Sequence, residues 1–227
     1  MAWALSTGFV PHRLRRQELL DDSPAHEAVE SLRDLRRINR WFGGHRLLRK
    51  LLAEQVSPDQ PFTFLEIGGG SGDNCAEVAR SFPLSRVTLL DYRLVHARQA
   101  SGMRVVADAF APPFRGPQFD FVFSSLFLHQ FNDLQIEQLL RGMYGLARRA
   151  VLVTDLERHR LAYETLPATR WLFGWHAITL HDGPASVQAG FQPQELLGLA
   201  KAAELPNPQV RRHRPWFRLS LVSRRVG

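Results

Sequence analysis

The sequence predicts an α/β fold: a doubly wound, seven-stranded, mostly parallel sheet with an N-terminal helical cap. Three observations carry that expectation. From Phe62 onward, short apolar runs rich in aromatic and β-branched residues alternate with segments of helical periodicity. The first run, Phe62 to Ile67, empties into Gly68-Gly69-Gly70-Ser71-Gly72 and then into a helix start. The last two runs, Val210 to Trp216 and Phe217 to Val222, follow each other with no helix between them.

The bulk numbers bound the reading. A chain of 227 residues suits one α/β domain with a modest extra segment and can bury a sizeable core. Hydrophobic content of 44% and charged content of 22% are ordinary for a globular protein. A lone cysteine, Cys75, excludes an internal disulfide framework and any cysteine-rich zinc site. It is also consistent with a reducing compartment, so a cytoplasmic location is expected. No apolar run approaches membrane-span length, and the N-terminus lacks a basic n-region and cleavage pattern. The net charge of +7 invites a nucleic-acid partner. Only Lys50 and Lys201 are lysines, however, and the arginines scatter from Arg13 to Arg225, so no such partner is expected. The clusters Arg33/Arg36/Arg37/Arg40 and Arg211/Arg212/Arg214 read as solvated faces.

Taken in order, residues 1–24 are punctuated by Gly8, Pro11 and Pro24 and sustain no period. From Ala25, apolar residues recur at helical spacing through Leu32, Leu35, Ile38, Trp41 and Phe42. Gly43-Gly44 interrupt, and Leu47, Leu48, Leu51 and Leu52 mark a second helix. Residues 1–57 are therefore expected to form an irregular segment with a helical cap, and residues 58–227 the main domain. In the glycine turn, a dinucleotide fingerprint G-x-G-x-x-G fails, because the third position is Asp73 or Cys75. A P-loop fails for want of Lys-Ser or Lys-Thr. The pattern that fits is E-x-G-x-G-x-G, on Glu66, Gly68, Gly70 and Gly72, with Asp73 and Asn74 placed to cap the next helix.

A helix from Ala76 to Phe82 ends at Pro83, and Arg86 to Tyr92 is the second strand. Asp91 stands about 20 residues past the glycines, where an acidic strand end meets a ribose diol. Leu94 to Ser101 reads as a helix, and Arg104 to Ala107 as a third strand ending in Asp108-Ala109-Phe110. Phe119 to Ser125 is the fourth strand, Asp133 to Ala147 a helix, and Arg149 to Asp155 the fifth strand. The stretch from Trp175 to Gly190 has no clean period and reads as an irregular insertion, followed by a helix from Gln192 to Glu204.

The glycine motif, with Glu66 before it and Asp91 and Asp108 after the next two strands, resembles the class I S-adenosylmethionine-dependent methyltransferases. The resemblance covers roughly residues 60 to 222. It implies the Rossmann-like methyltransferase fold, a closing antiparallel strand pair and S-adenosylmethionine as cofactor. Glu66 would orient the methionine end, Gly68, Gly70 and Gly72 would admit the cofactor to the backbone, and Asp91 would hold the ribose. Asp108 and the Ala109 amide would meet adenine, with Phe110 as a wall, and Tyr92 and Ser124 complete the expected cofactor set. The segment L-R-x-L-x-R-I-N-x-W before the sheet and H-D-G after it resemble a bacterial subgroup associated with type III polyketide synthases.

The acceptor is expected to be a small molecule. Ser124-Ser125-Leu126-Phe127 lacks the prolines of the tetrapeptide used by amino-methyltransferases of nucleic-acid bases. Cys75 lies in a helix start, the wrong place for attack on pyrimidine carbon. Oxygen methylation of a phenolic or polyketide-like acceptor is favoured, with quinone carbon methylation a variant. Removal of the acceptor proton calls for a base, and the candidates in order are His129, His181 and His176. Trp171, Phe173 and Trp175 divide between acceptor pocket and core, and at least two of them are expected to be core. Asp155 and Glu157 resemble a metal pair, yet no metal is expected. RNA methylation and a non-catalytic cofactor-binding subunit are the alternatives.

Overall fold

The computed structural model describes residues 9–14, 25–93 and 102–225. The helix expected over Leu94 to Ser101, and most of the N-terminal segment, lie outside the described residues.

The described elements are α1 (Ala25–Trp41), α2 (Gly44–Ala53), β1 (Phe62–Ile67), α3 (Asp73–Ser81), β2 (Ser85–Asp91), β3 (Met103–Val106) and β4 (Phe119–Ser125). A 3₁₀ turn at Leu128–Gln130 leads to α4 (Asp133–Leu146) and β5 (Ala147–Leu156). Then come α5 (Arg160–Ala168), α6 (Arg170–Phe173), α7 (Ala177–Ala189), α8 (Pro193–Ala202), β6 (Gln209–His213) and β7 (Arg218–Arg224). The seven strands form one sheet in the order β3-β2-β1-β4-β5-β7-β6. The first five are parallel neighbours, while β7 runs antiparallel to both β5 and β6. The expected mostly parallel sheet and its closing antiparallel pair are both present.

Both faces of the sheet are covered, which is why its strands read as nearly continuous apolar runs. Along β1 the side chains alternate. Phe62 and Phe64 pack with Leu47, Leu48, Leu51 and Leu52 of α2 and Val78 of α3. Leu65 and Ile67 pack with Ile136, Leu139, Leu140 and Met143 of α4 and Leu196 of α8. Each such fully buried side chain contributes about 1.5–3 kcal/mol. α4 starts on a capping box, with the Asn132 side chain accepting from the Gln135 N–H at 2.9 Å and Gln135 reaching back to the Asn132 N–H.

Three local features depart from expectation. The cap of α3 is Gly72, in the left-handed region at φ +69°, whereas Asp73 and Asn74 lie inside the first turn with their side chains bonded elsewhere. The stretch expected to be irregular is the helix α7. Its polar Thr179, Asp182 and Gln188 are as buried as Ile178 and Val187, so it presents no apolar stripe to read. Of the three late aromatics, only Trp175 is buried; Phe173 is half-buried and Trp171 is 85% exposed.

Candidate active site

In the strand order, connections run outward in opposite directions from the β1–β4 neighbours, and open α/β sheets bind ligands at the carboxyl ends of such a switch point. A cleft of about 1280 Å³ opens there. One wall is the glycine loop with the ends of β2 and β4; the other is α1, α7 and the β6–β7 turn.

The glycine loop is a cradle that side chains would fill. A Cβ on Gly68, at φ +68°, would stand 2.4 Å from the Phe127 ring, and one on Gly69 2.2 Å from Leu89. Gly70 also takes a positive φ, +51°. The Asp91 carboxylate is fixed at the cleft by the Gly70 N–H on one oxygen and the Arg93 N–H on the other, both at 2.9 Å. Glu66 is fully buried; Oε1 accepts from Asn74 Nδ2 at 2.7 Å, and Oε2 has no partner. Burial first, and then the charge of Asp73, push its pKa up to about 8, against the opposing hydrogen bonds from Asn74 and Cys75. An orphaned carboxyl oxygen beside a cradle without Cβ atoms fits a ligand that brings its own donors, as the ammonium end of S-adenosylmethionine does.

Other expected cofactor contacts divide. Tyr92, 76% exposed, lines the cleft, as do Asp108, Ala109 and Phe110. Asp108 accepts from the Phe110 N–H at 2.9 Å. Gly72 does not line the cleft but serves as the helix cap. Ser124 is fully buried away from the cleft, and Ser125 lines it instead, because successive strand residues point to opposite faces. Cys75 is buried, bonds towards the Thr88 carbonyl, and its thiol pKa is pushed well above the ordinary value, chiefly by burial. It is no nucleophile.

Of the three candidate histidines, the cleft receives His129 alone. His129 is 3% exposed, and its Nδ1 lies 2.6 Å from Asp155 Oδ1, while its backbone N–H also points at Asp155 at 3.3 Å. Burial would raise the Asp155 pKa, but the His129 charge and hydrogen bond, with the Leu156 N–H, hold it below the usual carboxylate range. An ionised partner on Nδ1 fixes the tautomer that leaves the imidazole lone pair on Nε2. His176 instead caps α7, accepting from the Ile178 N–H. His181 is exposed on α7, whose cleft-lining residues are Thr179, Asp182, Gly183 and Ser186, a stripe at helical spacing that His181 misses.

Two residues escaped the sequence reading. Asp155, which in sequence resembles half of a metal pair with Glu157, bonds His129 instead, while Glu157 pairs with Arg212 and Arg214. The parallel register Ser125↔Thr154, at the end of β4 and next to Asp155 in β5, is the signal that joins Asp155 to the residues after β4. Arg218 is 1% exposed and lines the cleft, donating to the Phe42 carbonyl and to Asn39 Oδ1, both at 3.1 Å. Asn39 continues to Asp73 at 3.0 Å, and Asp73 to His45 at 2.7 Å. Nothing local in the sequence marks this relay. Among the described residues, no helix is long and apolar enough to cross a membrane.

Residues 64–150 match a family model described as a methyltransferase domain. A search of curated proteins finds no match. Among solved structures, the plantazolicin methyltransferase BpumL, in complex with S-adenosylhomocysteine, superposes with a TM-score of 0.67 at 13% identity, over 91% of this chain and 93% of its own. A Nostoc punctiforme protein described as an O-methyltransferase gives 0.59 at 19% identity over 81% of this chain, which spans 56% of that protein's length. Magnesium protoporphyrin IX methyltransferase of Synechocystis, with S-adenosylmethionine bound, gives 0.54 at 11% identity, over 81% of this chain and 80% of its own. At these identities the structures share the fold. The chain thus carries a methyltransferase-domain match over residues 64–150, on a fold shared with S-adenosylmethionine-dependent methyltransferases.

Proposed function

We propose that the protein moves the methyl group of S-adenosylmethionine to a hydroxyl oxygen of a small phenolic or polyketide-like acceptor. The observation that carries this reading is the buried His129–Asp155 pair on the cleft wall. S-adenosylmethionine, when bound there, would supply an electrophilic methyl to the acceptor oxygen, its sulfonium sulfur keeping the electron pair of the broken bond. The protein aligns the two partners and takes the acceptor proton. The loop from Gly68 to Ser71, Asp91 and the segment from Asp108 to Phe110 would hold the cofactor, with Glu66 facing its charged end. His129 Nε2 would receive the proton, and the carboxylate of Asp155 would stabilise the imidazolium so formed. α1 and the aromatic β6–β7 turn would exclude water from the acceptor end, giving α1 the role of a cap on the domain that follows. The neighbour names support a small-molecule acceptor: an O-methyltransferase of Nostoc, a plantazolicin methyltransferase and a protoporphyrin methyltransferase.

The test uses His129→Asn, which keeps a donor for Asp155 and so avoids stranding a buried charge. Calorimetry with S-adenosylhomocysteine reports the cradle, and transfer of labelled methyl to a panel of phenols and enols reports turnover. The expected result is unchanged product affinity with turnover lower by about 10²-fold or more. Turnover equal to wild type would remove His129 from the mechanism.

A further inference from the structure

Building on that function, we propose that the acceptor binds as an anion, with a carboxylate seated on the guanidinium of Arg218. Arg218 offers Nε to the Phe42 carbonyl and Nη2 to Asn39, but its Nη1 is buried with no hydrogen-bond partner. A buried donor left unsatisfied is costly, and buried charges are as a rule paired. Among the described residues, no carboxylate reaches Arg218 within ion-pair distance. The two whose charges act on it from farther off are already engaged, Asp155 by His129 and Asp73 by His45 and Asn39. Burial pushes the Arg218 pKa down, but only to about 10, so the side chain enters neutral solution as a cation.

Its location gives the missing anion a source. Arg218 pairs across the sheet with Leu156, the residue after Asp155, so the cation meets the cleft beside the His129–Asp155 pair. Thr179 of α7 also lines the cleft, with a hydroxyl that is likewise buried and unpartnered. Leu35, Ile38, Phe42 and Trp216 supply apolar surface around them. Two of the non-glycine residues at positive φ, Leu126 at +51° and Phe217 at +47°, also line this cleft. Strained backbone of that kind persists where a site over-determines it. One open guanidinium nitrogen, one open hydroxyl and an aromatic surround fit a planar hydroxy acid. Its carboxylate would take Arg218 Nη1 and Thr179 Oγ1, and its ring hydroxyl would face His129. A neutral phenol would leave the guanidinium uncompensated.

The experiment is titration of the full chain, saturated with S-adenosylhomocysteine, with 1-hydroxy-2-naphthoate and with 1-hydroxy-2-naphthamide. These probes differ in charge but hardly in shape. The acid should bind at least tenfold more tightly than the amide. Arg218→Met should erase that preference, bringing the acid down to the affinity of the amide. Arg218→Lys should keep part of the preference, and Thr179→Val should weaken acid binding several-fold. Should Arg218→Met fail to fold, the wild-type comparison and Arg218→Lys decide. Equal binding of acid and amide, binding of neither, or an acid preference that survives in Arg218→Met would each overturn the proposal. The proposed reaction fails separately. Acid preference intact with no methyl transfer leaves the anion seat standing, and transfer to neutral phenols without acid preference leaves only the reaction.

Discussion

Glu66 has no polar solvent around it and one oxygen with no partner, so it holds its proton near neutral pH. A carboxyl whose pKa rises on folding stabilises the fold fully below its unfolded value of 4.5 and loses that contribution as pH climbs through about 8. The stability of the ligand-free protein should therefore fall between these values, with a Glu66 component approaching about 1.4 kcal/mol per pH unit. Urea denaturation of wild type and Glu66→Gln at pH 5, 6.5 and 8 measures it. The difference between the two should grow with pH in the variant's favour, and parallel curves would mean that Glu66 is ionised throughout. Glu66, Asp91 and Asp108 were legible in the sequence because each stands at or close to the carboxyl end of a strand, the first beside the glycines and the others at the next two strands. Arg218 was not legible. Its isolation depends on Asn39 and Phe42, brought in from the far end of the chain.

The glycine loop and α4 show the same residue doing opposite things in two elements. Gly68 stands at φ +68° with the Phe127 ring where a Cβ would go, so Gly68→Ala must displace the ring that floors the cleft. Its affinity for S-adenosylhomocysteine should drop by at least about tenfold, read by calorimetry, because about 1.4 kcal/mol of strain or displacement is enough for that factor. Gly142 sits exposed within α4 with nothing within 4 Å of a Cβ, and Gly142→Ala should stabilise the protein by about 0.5–1 kcal/mol without touching ligand affinity. If Gly68→Ala bound as wild type, the loop would not be a close-contact surface. Legibility follows the same division. β1 and the turn after it are written in consecutive residues, Phe62 to Gly72. α7 hides behind Gly183, Pro184 and a surround that buries its polar residues together with its apolar ones, so no stripe survives for a periodicity reading to find.

At the scale of the molecule, the cleft lies between the strand ends of the sheet and the helices α1 and α7. The sheet side is anchored by buried strands, and the cap side by a few polar ties. Asp34 of α1 accepts from the His176 N–H at 2.7 Å, and Arg37 pairs with Asp34 and donates to the Phe173 carbonyl at 2.7 Å. Asn39 then links α1 to both Asp73 at the glycine loop and Arg218 at β7. A ligand held by Gly68 to Ser71 would also face Leu32 and Ile38 of α1 on the opposite wall of the cleft, so binding should tighten both sides together. With S-adenosylhomocysteine at a hundred times its dissociation constant, the fold should gain about 2.7 kcal/mol by mass action. Hydrogen–deuterium exchange should slow in residues 68–74 and also in α1 from Ser31 to Phe42. Slowing of both segments would make the cap part of the cofactor site, so that Asn39→Ala, which cuts the relay, should weaken product binding and release α1 protection while leaving β1 and β4 unchanged. Protection confined to the glycine loop would instead leave α1 to the acceptor alone. In that case protection of α1 should appear only when a hydroxy acid is added as well.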